Sequence, residues 1–166
     1  VGSAGDFEIP AGVAIDEGRG RMYVVDTRAH DVKVYSLDGG FLFKFGKRGT
    51  GDGEFNYPTN IAVGKDGKIY IVDTINARVQ VFGAEGTFLM KFGSLGDGLG
   101  QFTRPKGISL DNQDNIYVVD AAFNNFRIFN QEGQLLMFVG SLGREPGMFW
   151  LPAGICIDGS NRIYVV

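Results

Sequence analysis

Residues 55–82 read FNYPTNIAVGKDGKIYIVDTINARVQVF, and elements of this stretch return along the whole chain. Its Phe-x-x-Pro element begins at steps of 48, 47 and 47 residues, at Phe7, Phe55, Phe102 and Phe149. A second element, Tyr-(Val/Ile)-Val-Asp, keeps the same spacing and begins at Tyr23, Tyr70, Tyr117 and, without its Asp, Tyr164. Self-similarity with a period of about 20–50 residues is typical of solenoids, propellers and arrays. The chain is therefore built from repeated units.

Each unit contains four short apolar runs that predict β-strands. In the second unit they cover residues 60–64, 69–73, 79–82 and 88–92, and they are rich in β-branched and aromatic residues. Gly, Asp and Asn separate the runs, as hairpin turns require, and no segment shows a helical period. We therefore predict an all-β fold, a β-propeller of four-stranded antiparallel blades. The blades should cover approximately residues 7–54, 55–101 and 102–148, with a partial blade at 149–166.

The residue pattern also predicts how deeply each strand is buried. The second strand is apolar on both faces, which indicates cover on both sides. The third strand carries a polar residue at its centre (Lys33, Gln80 or Arg127), which predicts a strand nearer solvent. The first strand alternates large and small residues, which indicates a crowded inner wall, and its small positions are Ala14, Ala62, Ser109 and Cys156. Cys156 is accordingly predicted to be a packing residue and not a nucleophile.

Two sets of repeated polar or small residues have a structural interpretation. Gly12, Gly107 and Gly154 share a place that holds Asn60 in the second unit, and Gly and Asn are the residues that most readily adopt a positive φ. We therefore predict a structural turn there. Asp26, Asp73 and Asp120 follow the second strand of each complete unit, and we expect them to cap turns through backbone amides, not to catalyse a reaction.

Composition excludes several classes of function. The chain is 44% hydrophobic and 21% charged, as in a globular protein, and its net charge of −3 with no long basic cluster argues against nucleic-acid binding. One Cys and one His exclude a disulfide framework and multi-Cys or multi-His zinc sites within these residues. No apolar run reaches the length of about 20 residues that a membrane span needs. We expect no cofactor and no metal.

Sequence divergence among the units concentrates in two loops. One joins the second and third strands, at residues 27–31, 74–78 and 121–125, and the other joins consecutive units, at residues 47–52, 94–99 and 141–146. In an up-and-down blade both loops fall on the same rim, with the residue that follows each Pro. The candidate binding residues on this rim are Arg28, His30, Ile75, Arg78, Lys106, Phe123 and Asn125. For each of them the alternative is an ordinary solvated turn residue.

The combination of Phe-x-x-Pro-x-Gly-Ile-Ala-Val, Ile-Tyr-Val-Val-Asp and Asn-x-Arg-Val-Gln-Val-Phe resembles the NHL repeat over the whole chain, most closely at residues 69–82. The resemblance implies a β-propeller, most often six-bladed, and a non-catalytic binding or scaffold role with a protein, peptide or glycan partner. The family's Asn and Arg after the strand-two Asp are present only as Asn76 and Arg78. From the family alone we expect a bacterial protein that is exported or periplasmic.

The resemblance also brings two other functions into consideration. Some NHL propellers bind RNA through a basic surface, but the matching loops here carry Asp31, Asp52 and Asp97 and no basic stripe, so nucleic acid is not expected. Related propellers include metal-dependent lyases and hydrolases with channel sites. Asp16, Asp111 and Asp158 end first strands near such a channel, although Gly64 interrupts the set. The alternative to a binding module is therefore an enzyme whose active site lies mainly in blades not present here.

The repeat count predicts an open arrangement of about three and a half blades, because the fourth unit ends within its second strand. We expect the chain to be a fragment of a longer, closed ring of about six blades. The alternative is that copies of the chain assemble side by side, because open blade edges can self-associate.

Overall fold

A computed structural model of the protein describes residues 6–166. Within this range the chain forms fourteen β-strands: β1 (Pro10–Asp16), β2 (Arg21–Asp26), β3 (Asp31–Ser36), β4 (Phe41–Phe45), β5 (Pro58–Val63), β6 (Ile69–Asp73), β7 (Arg78–Phe82), β8 (Phe88–Phe92), β9 (Pro105–Leu110), β10 (Ile116–Asp120), β11 (Asn125–Phe129), β12 (Leu135–Val139), β13 (Ile155–Ile157) and β14 (Ile163–Val165).

The strands form three four-stranded sheets and one two-stranded sheet within the described residues, each following chain order. Neighbouring strands are antiparallel, and hairpins join them in register, as at Asp26↔Asp31 and Asp73↔Arg78. The prediction of an all-β propeller with four-stranded antiparallel blades is confirmed, and the chain is a partial propeller.

The first strand of each sheet lies innermost, because β1 packs beside β5, β5 beside β9 and β9 beside β13. The predicted positive φ at Gly12, Asn60, Gly107 and Gly154 is wrong, since none of these four residues has one. They lie where inner strands approach each other. A Cβ on Gly12 would be 2.9 Å from the Cα of Asn60, and one on Gly107 would be 2.9 Å from the carbonyl oxygen of Ala153. Glycine therefore provides space between blades at Gly12 and Gly107.

The third strand of each blade is buried, so the prediction that it lies nearer solvent is wrong. β3, β7 and β11 are covered along nearly their whole length, whereas the outermost strands β4, β8 and β12 are largely exposed. The central polar residues Lys33, Gln80 and Arg127 are buried as well. A buried polar group needs a partner, so each of these residues is a place where the blade must supply one.

The Phe of the second and third Phe-x-x-Pro elements lies in the core between its own blade and the preceding one. Phe55 and Phe102 are fully buried, and their ring centroids lie 5.5 Å from those of Phe82 and Phe129 of the same blades. Phe55 shares its core cluster with β2 and β3 of the first blade, and Phe102 shares its cluster with β6 and β7 of the second. Gly93 adopts a φ of +85° beside Phe102, where a Cβ would come within 2.5 Å of the ring. The repeat element is therefore an interblade core contact.

Candidate functional site

The second-to-third strand turns (27–30, 74–77 and 121–124) and the interblade connections (46–57, 93–104 and 140–151) lie together on one side of the propeller, called the loop rim from here on. Asn76 at one of these turns donates from Nδ2 to the carbonyl oxygen of Gly49 in a connection, at 2.9 Å. The two sets of loops are thus in direct contact, and this is the side on which the sequence repeats diverge.

The aspartates at the end of the second strand hold the loop rim in place. The carboxylate of Asp26 accepts the backbone N–H groups of Glu8 and Ile9 at 2.7 and 2.9 Å. Asp120 accepts those of Thr103 and Arg104 at 2.8 and 3.1 Å. Each carboxylate therefore fixes the backbone of the Phe-x-x-Pro element of its own blade. In both residues each carboxylate oxygen accepts one of these backbone N–H groups.

Burial acts to raise the pKa of Asp26, but hydrogen bonds from Lys33 and from the backbone amides of Ile9, Glu8 and Ala29 outweigh it and lower the pKa to about 2. Lys33 Nζ lies 2.7 Å from Asp26 and 2.8 Å from Asp31. The buried cation of the first blade is therefore neutralised by carboxylates of the same blade.

In the second blade, the buried polar residues Arg78 and Gln80 are satisfied mainly by the backbone of the interblade connection. Arg78 Nε donates to Asp73 Oδ2 at 2.8 Å, and its other nitrogens donate to the carbonyl oxygens of Thr50, Gly51 and Glu54, each at 2.8 Å. Gln80 follows on the same face of β7, donates to the Glu54 carbonyl at 2.7 Å, and accepts the N–H of Gly53. These bonds close the interblade connection tightly over β7.

The third blade leaves the corresponding groups unpaired and holds a cavity instead. Asn125 and Arg127 occupy the places of Arg78 and Gln80, and within residues 6–166 their Oδ1 and Nη1 atoms are buried without a hydrogen-bond partner. The Arg127 guanidinium lies over the Phe123 ring, 4.7 Å from its centroid. A cavity of about 300 Å³ opens here. We call it the third-blade cavity; its lining includes Asp97, Leu99, Phe123, Asn125, Arg127 and Phe138.

Among the predicted binding residues, four present surface on the loop rim. Arg28 and Ile75 are exposed, and Arg28 lies 3.5 Å from Glu8 in a surface ion pair. Lys106 and Phe123 are half-buried. Lys106 lies in β9, where its carbonyl accepts the Thr59 hydroxyl, and Phe123 forms a wall of the third-blade cavity.

The other three predicted binding residues are buried, which corrects their placement on the accessible surface. His30 accepts the Tyr57 N–H through Nδ1 at 3.1 Å and contacts the Tyr57 ring. All the hydrogen-bonding nitrogens of Arg78 are occupied by Asp73 and by carbonyl groups of the interblade connection. Asn125 lines the third-blade cavity. His30 and Arg78 bind backbone groups of the neighbouring connection and support the rim, whereas the Oδ1 atom of Asn125 has no partner among the described residues.

Several exposed apolar side chains on the loop rim were not among the predicted residues. Leu95 and Leu99 of the second connection are 70% and 84% exposed, and Tyr57 is 44% exposed with a φ of +52°. Leu99 replaces Asp52 of the preceding connection, and Phe138 replaces Lys91 of the preceding blade. Comparing repeat positions one by one for a polar-to-apolar change would have found Leu99 and Phe138.

The inner-strand aspartates serve the turns that follow them. Asp16 binds Arg19 at 3.0 Å, Asp111 accepts the Tyr117 hydroxyl at 3.2 Å, and Asp158 binds Arg162 at 2.8 Å. Among residues 6–166, no three His, Cys, Asp or Glu side chains form a group that could hold a metal ion. Cys156 on β13 is an exposed free thiol, so its predicted packing role is not seen. No helix in the described range has the length and apolarity of a membrane span.

Comparison with known proteins identifies the architecture. The model of the DUF5128 family, described as a 6-bladed beta-propeller, matches residues 6–73 and 64–126. A stretch of 59 residues, 36% of the chain, is 36% identical to Protein brain tumor of Drosophila melanogaster and covers 6% of that protein.

Solved structures give the same result at low sequence identity. Virginiamycin B lyase from Staphylococcus aureus superposes with a TM-score of 0.70 at 13% identity, over 95% of this chain and 48% of the lyase. A structural genomics protein from Bacteroides thetaiotaomicron superposes with a TM-score of 0.71 at 20% identity, over 94% of this chain and 44% of that protein. These likenesses show the fold alone. The chain spans about half the length of these structures.

Proposed function

We propose that this chain, which belongs to the DUF5128 family of 6-bladed beta-propellers, is an NHL-type, non-catalytic binding module that holds a protein or peptide partner on its loop rim. The NHL assignment is supported by the motif at residues 69–82 and by the similarity to Protein brain tumor.

The observation that carries the proposal is the apolar surface of the loop rim. Ile75 is 60% exposed, and Tyr57, Leu95 and Leu99 are exposed on neighbouring loops. The same connections are fixed by buried polar side chains: Asp73 accepts the N–H of Asn56, Asp120 accepts those of Thr103 and Arg104, and Arg78 binds carbonyl groups of residues 50–54. Exposed apolar groups on a rigid frame are typical of surfaces that bind other proteins.

The charges of the loop rim favour a protein or peptide over a nucleic acid. Lys47 pairs with Glu54 at 3.3 Å and Arg28 with Glu8, so part of the positive charge is neutralised locally. Nucleic-acid surfaces need a stripe of Lys and Arg that neutralises several phosphates. A glycan is a further class of partner for this rim, since half-buried aromatic groups such as Phe123 can stack on sugar rings.

The test is quantitative affinity capture from an extract of the source cells with the intact protein as bait. A variant carrying Ile75→Asp and Leu95→Asp should lose its captured proteins, because both substitutions place charge on the apolar rim without touching a buried contact. The matched control is Leu37→Asp, a similarly exposed leucine in the β3–β4 turn on the opposite rim. Equal capture by both variants would exclude the loop rim as the binding surface.

The competing hypothesis is a lyase or hydrolase whose active site lies mainly in blades outside this chain. It expects activity to survive the Ile75→Asp and Leu95→Asp changes, since neither residue lies on an inner strand. Turnover assays on this double variant therefore separate the hypotheses.

A further inference from the structure

The third-blade cavity differs from its counterparts in one chemical respect. The buried cation Lys33 of the first blade has two carboxylate partners, and the polar pair of the second blade is bonded to the connection above it. Arg127 is only 6% exposed and has no ion pair within residues 6–166. Burial lowers its pKa from the ordinary value, against a smaller opposing effect of the Asp120 charge. Its compensation within the described residues is limited to cation–π contacts with the rings of Phe102 and Phe123, whose centroids lie 5.7 and 4.7 Å from the guanidinium carbon. A buried cation without a counter-charge, and with no acceptor for Nη1, destabilises the folded state, which favours a partner from elsewhere.

The walls of the cavity define what that partner must carry. Arg127 Nη1 lacks an acceptor, for which an anion is the strongest partner of a guanidinium, and Asn125 Oδ1 lacks an N–H or O–H donor. Phe138 and Leu99 line the same space and require an apolar group. Phe138 pairs with Arg127 in the β11–β12 register, at the place that Lys91 holds opposite Gln80, so the apolar wall lies directly beside the guanidinium.

We propose that the third-blade cavity binds the free C-terminal carboxylate of a peptide whose last residue is apolar. Arg127 donates to the carboxylate, Asn125 Oδ1 accepts the N–H of the same last residue, and its side chain packs against Leu99 and Phe138. The inference rests on the proposed function, because it names the part of a protein partner that this section of the loop rim receives.

A C-terminal residue fits better than the other carriers of negative charge. An Asp or Glu side chain could bring its carboxylate to Arg127, but it has no apolar side chain to pack against Leu99 and Phe138 at the same time. A phosphate carries about two charges, whereas the cavity holds one guanidinium and the repelling carboxylate of Asp97. The cavity of about 300 Å³ is near the lower limit for small-molecule sites, which suits one terminal residue.

Fluorescence anisotropy with labelled peptides tests the assignment on the intact protein. The probe is a Gly-Ser-Gly-Ser-Leu peptide with a free carboxylate, and the comparison probes are its C-terminal amide and a Gly-Ser-Gly-Glu amide, which carries only a side-chain carboxylate. We expect the free acid to bind at least about tenfold more tightly than either comparison probe. The C-terminal amide loses the charged hydrogen bond to the buried guanidinium, and the glutamate amide lacks an apolar side chain beside its carboxylate.

Arg127→Gln places in the third blade the residue that the second blade has at the same position. It should weaken binding of the free acid by about tenfold or more, while leaving its amide unaffected. Asp97→Asn removes the repelling carboxylate and should leave binding unchanged or tighter. Tighter binding of free leucine or of inorganic phosphate than of the peptide would overturn the choice of a peptide terminus.

The melting temperature shows whether Arg127 serves a ligand or stabilises the fold. Arg127→Met should raise the melting temperature of the unliganded protein by about 2 °C or more, because a buried unpaired cation is removed. Arg78→Met, the same substitution at a fully hydrogen-bonded arginine of the second blade, should lower the melting temperature. A lower melting temperature for Arg127→Met would mean that Arg127 supports the fold, and the inference would be wrong.

The two proposals fail in distinguishable ways. If no peptide binds up to millimolar concentration, or acid and amide bind equally, the terminal-carboxylate inference falls even when Ile75→Asp with Leu95→Asp abolishes capture. If capture is insensitive to those two rim changes, the proposed function falls whatever the peptides do.

Discussion

Asp26 has a fully buried carboxylate that connects Lys33 with the backbone of the Phe-x-x-Pro element. Because its pKa is about 2 in the folded state and near 3.8 when unperturbed, its ionised form stabilises the fold above about pH 4. That contribution, about 2 kcal/mol at neutral pH, should disappear as the pH falls from about 4 to 2. Urea unfolding of the wild type and Asp26→Asn should differ by this amount at pH 7 and converge near pH 2. A constant difference across that range would contradict it.

Tyr70 is a residue-scale exception among the repeats. Its hydroxyl is buried without a partner among the described residues, whereas Tyr117 and Tyr164 bind an aspartate at the place of Gly64. Burial, together with the charges of Asp66, Asp114 and Glu132, raises the pKa of Tyr70 to about 12.

Gly64→Asn should supply the missing acceptor without adding negative charge. Its Cβ would lie 3.1 Å from the end of the Asp66 side chain and at ordinary contact distance, 3.5 and 3.6 Å, from Tyr70 and Asp114. We expect the free energy of unfolding to rise by about 1 kcal/mol over that of Gly64→Ala, which makes the same backbone change without an acceptor. Chemical denaturation of the two variants measures this difference. No gain of Asn over Ala would show that the Tyr70 hydroxyl is satisfied in another way.

At the scale of elements, one side chain holds an entire interblade connection. Arg78 binds Asp73 and three carbonyl groups of the connection before its blade. Arg78→Ala should lower the free energy of unfolding by about 3 kcal/mol, because it leaves a buried carboxylate without its cation. The matched control is Arg28→Ala, an exposed arginine of the preceding turn, with an expected change below about 0.5 kcal/mol. Similar losses of unfolding free energy for both variants would contradict the conclusion that Arg78 holds the connection.

The elements also explain why burial was mispredicted for the third strands. Period-two alternation in β3, β7 and β11 is the normal sign of a half-exposed strand. Here the polar position faces the folded-back connection, which is itself polar backbone, so Gln80 is satisfied while fully buried. A polar residue in an alternating pattern indicates only that its side chain has a polar environment. That environment can be water or the backbone of a loop from the preceding connection, and the local sequence does not distinguish the two.

For the whole molecule, cohesion depends on aromatic contacts between consecutive blades. Phe55 begins the second blade and packs on Phe82 of the same blade, and it also lies beside Gly46 and in one core cluster with Tyr23 of the first blade. Phe55→Ala should lower the free energy of unfolding by about 3–5 kcal/mol, because it opens a cavity between two sheets. Phe41→Ala, on an exposed outermost strand, should cost less than about 1 kcal/mol. Thermal or urea unfolding provides both values, and equal effects would mean that the blades are not coupled through Phe55.

The repeat by itself determined the all-β propeller, because a 47-residue step between Phe55 and Phe102 leaves each unit four strands and tight turns. It also indicated the side of the propeller on which the loop sequences diverge. Successive strands run in opposite directions, so the loops after the second and fourth strands lie on the same side. Both results follow from local chain geometry, that is, from strand length, turn type and repeat spacing, all of which can be inferred from the sequence.

Only the tertiary structure decided which rim residues are free. His30 and Arg78 differ from Ile75 by bonds to Tyr57 and to the Thr50 carbonyl, residues about 27 positions away that fold back beside them. Arg127 has the same kind of position as Lys33 and Gln80, yet it lacks their partners. Whether a buried polar group is satisfied depends on distances between separate loops, and for that reason it appears only when the blades are assembled.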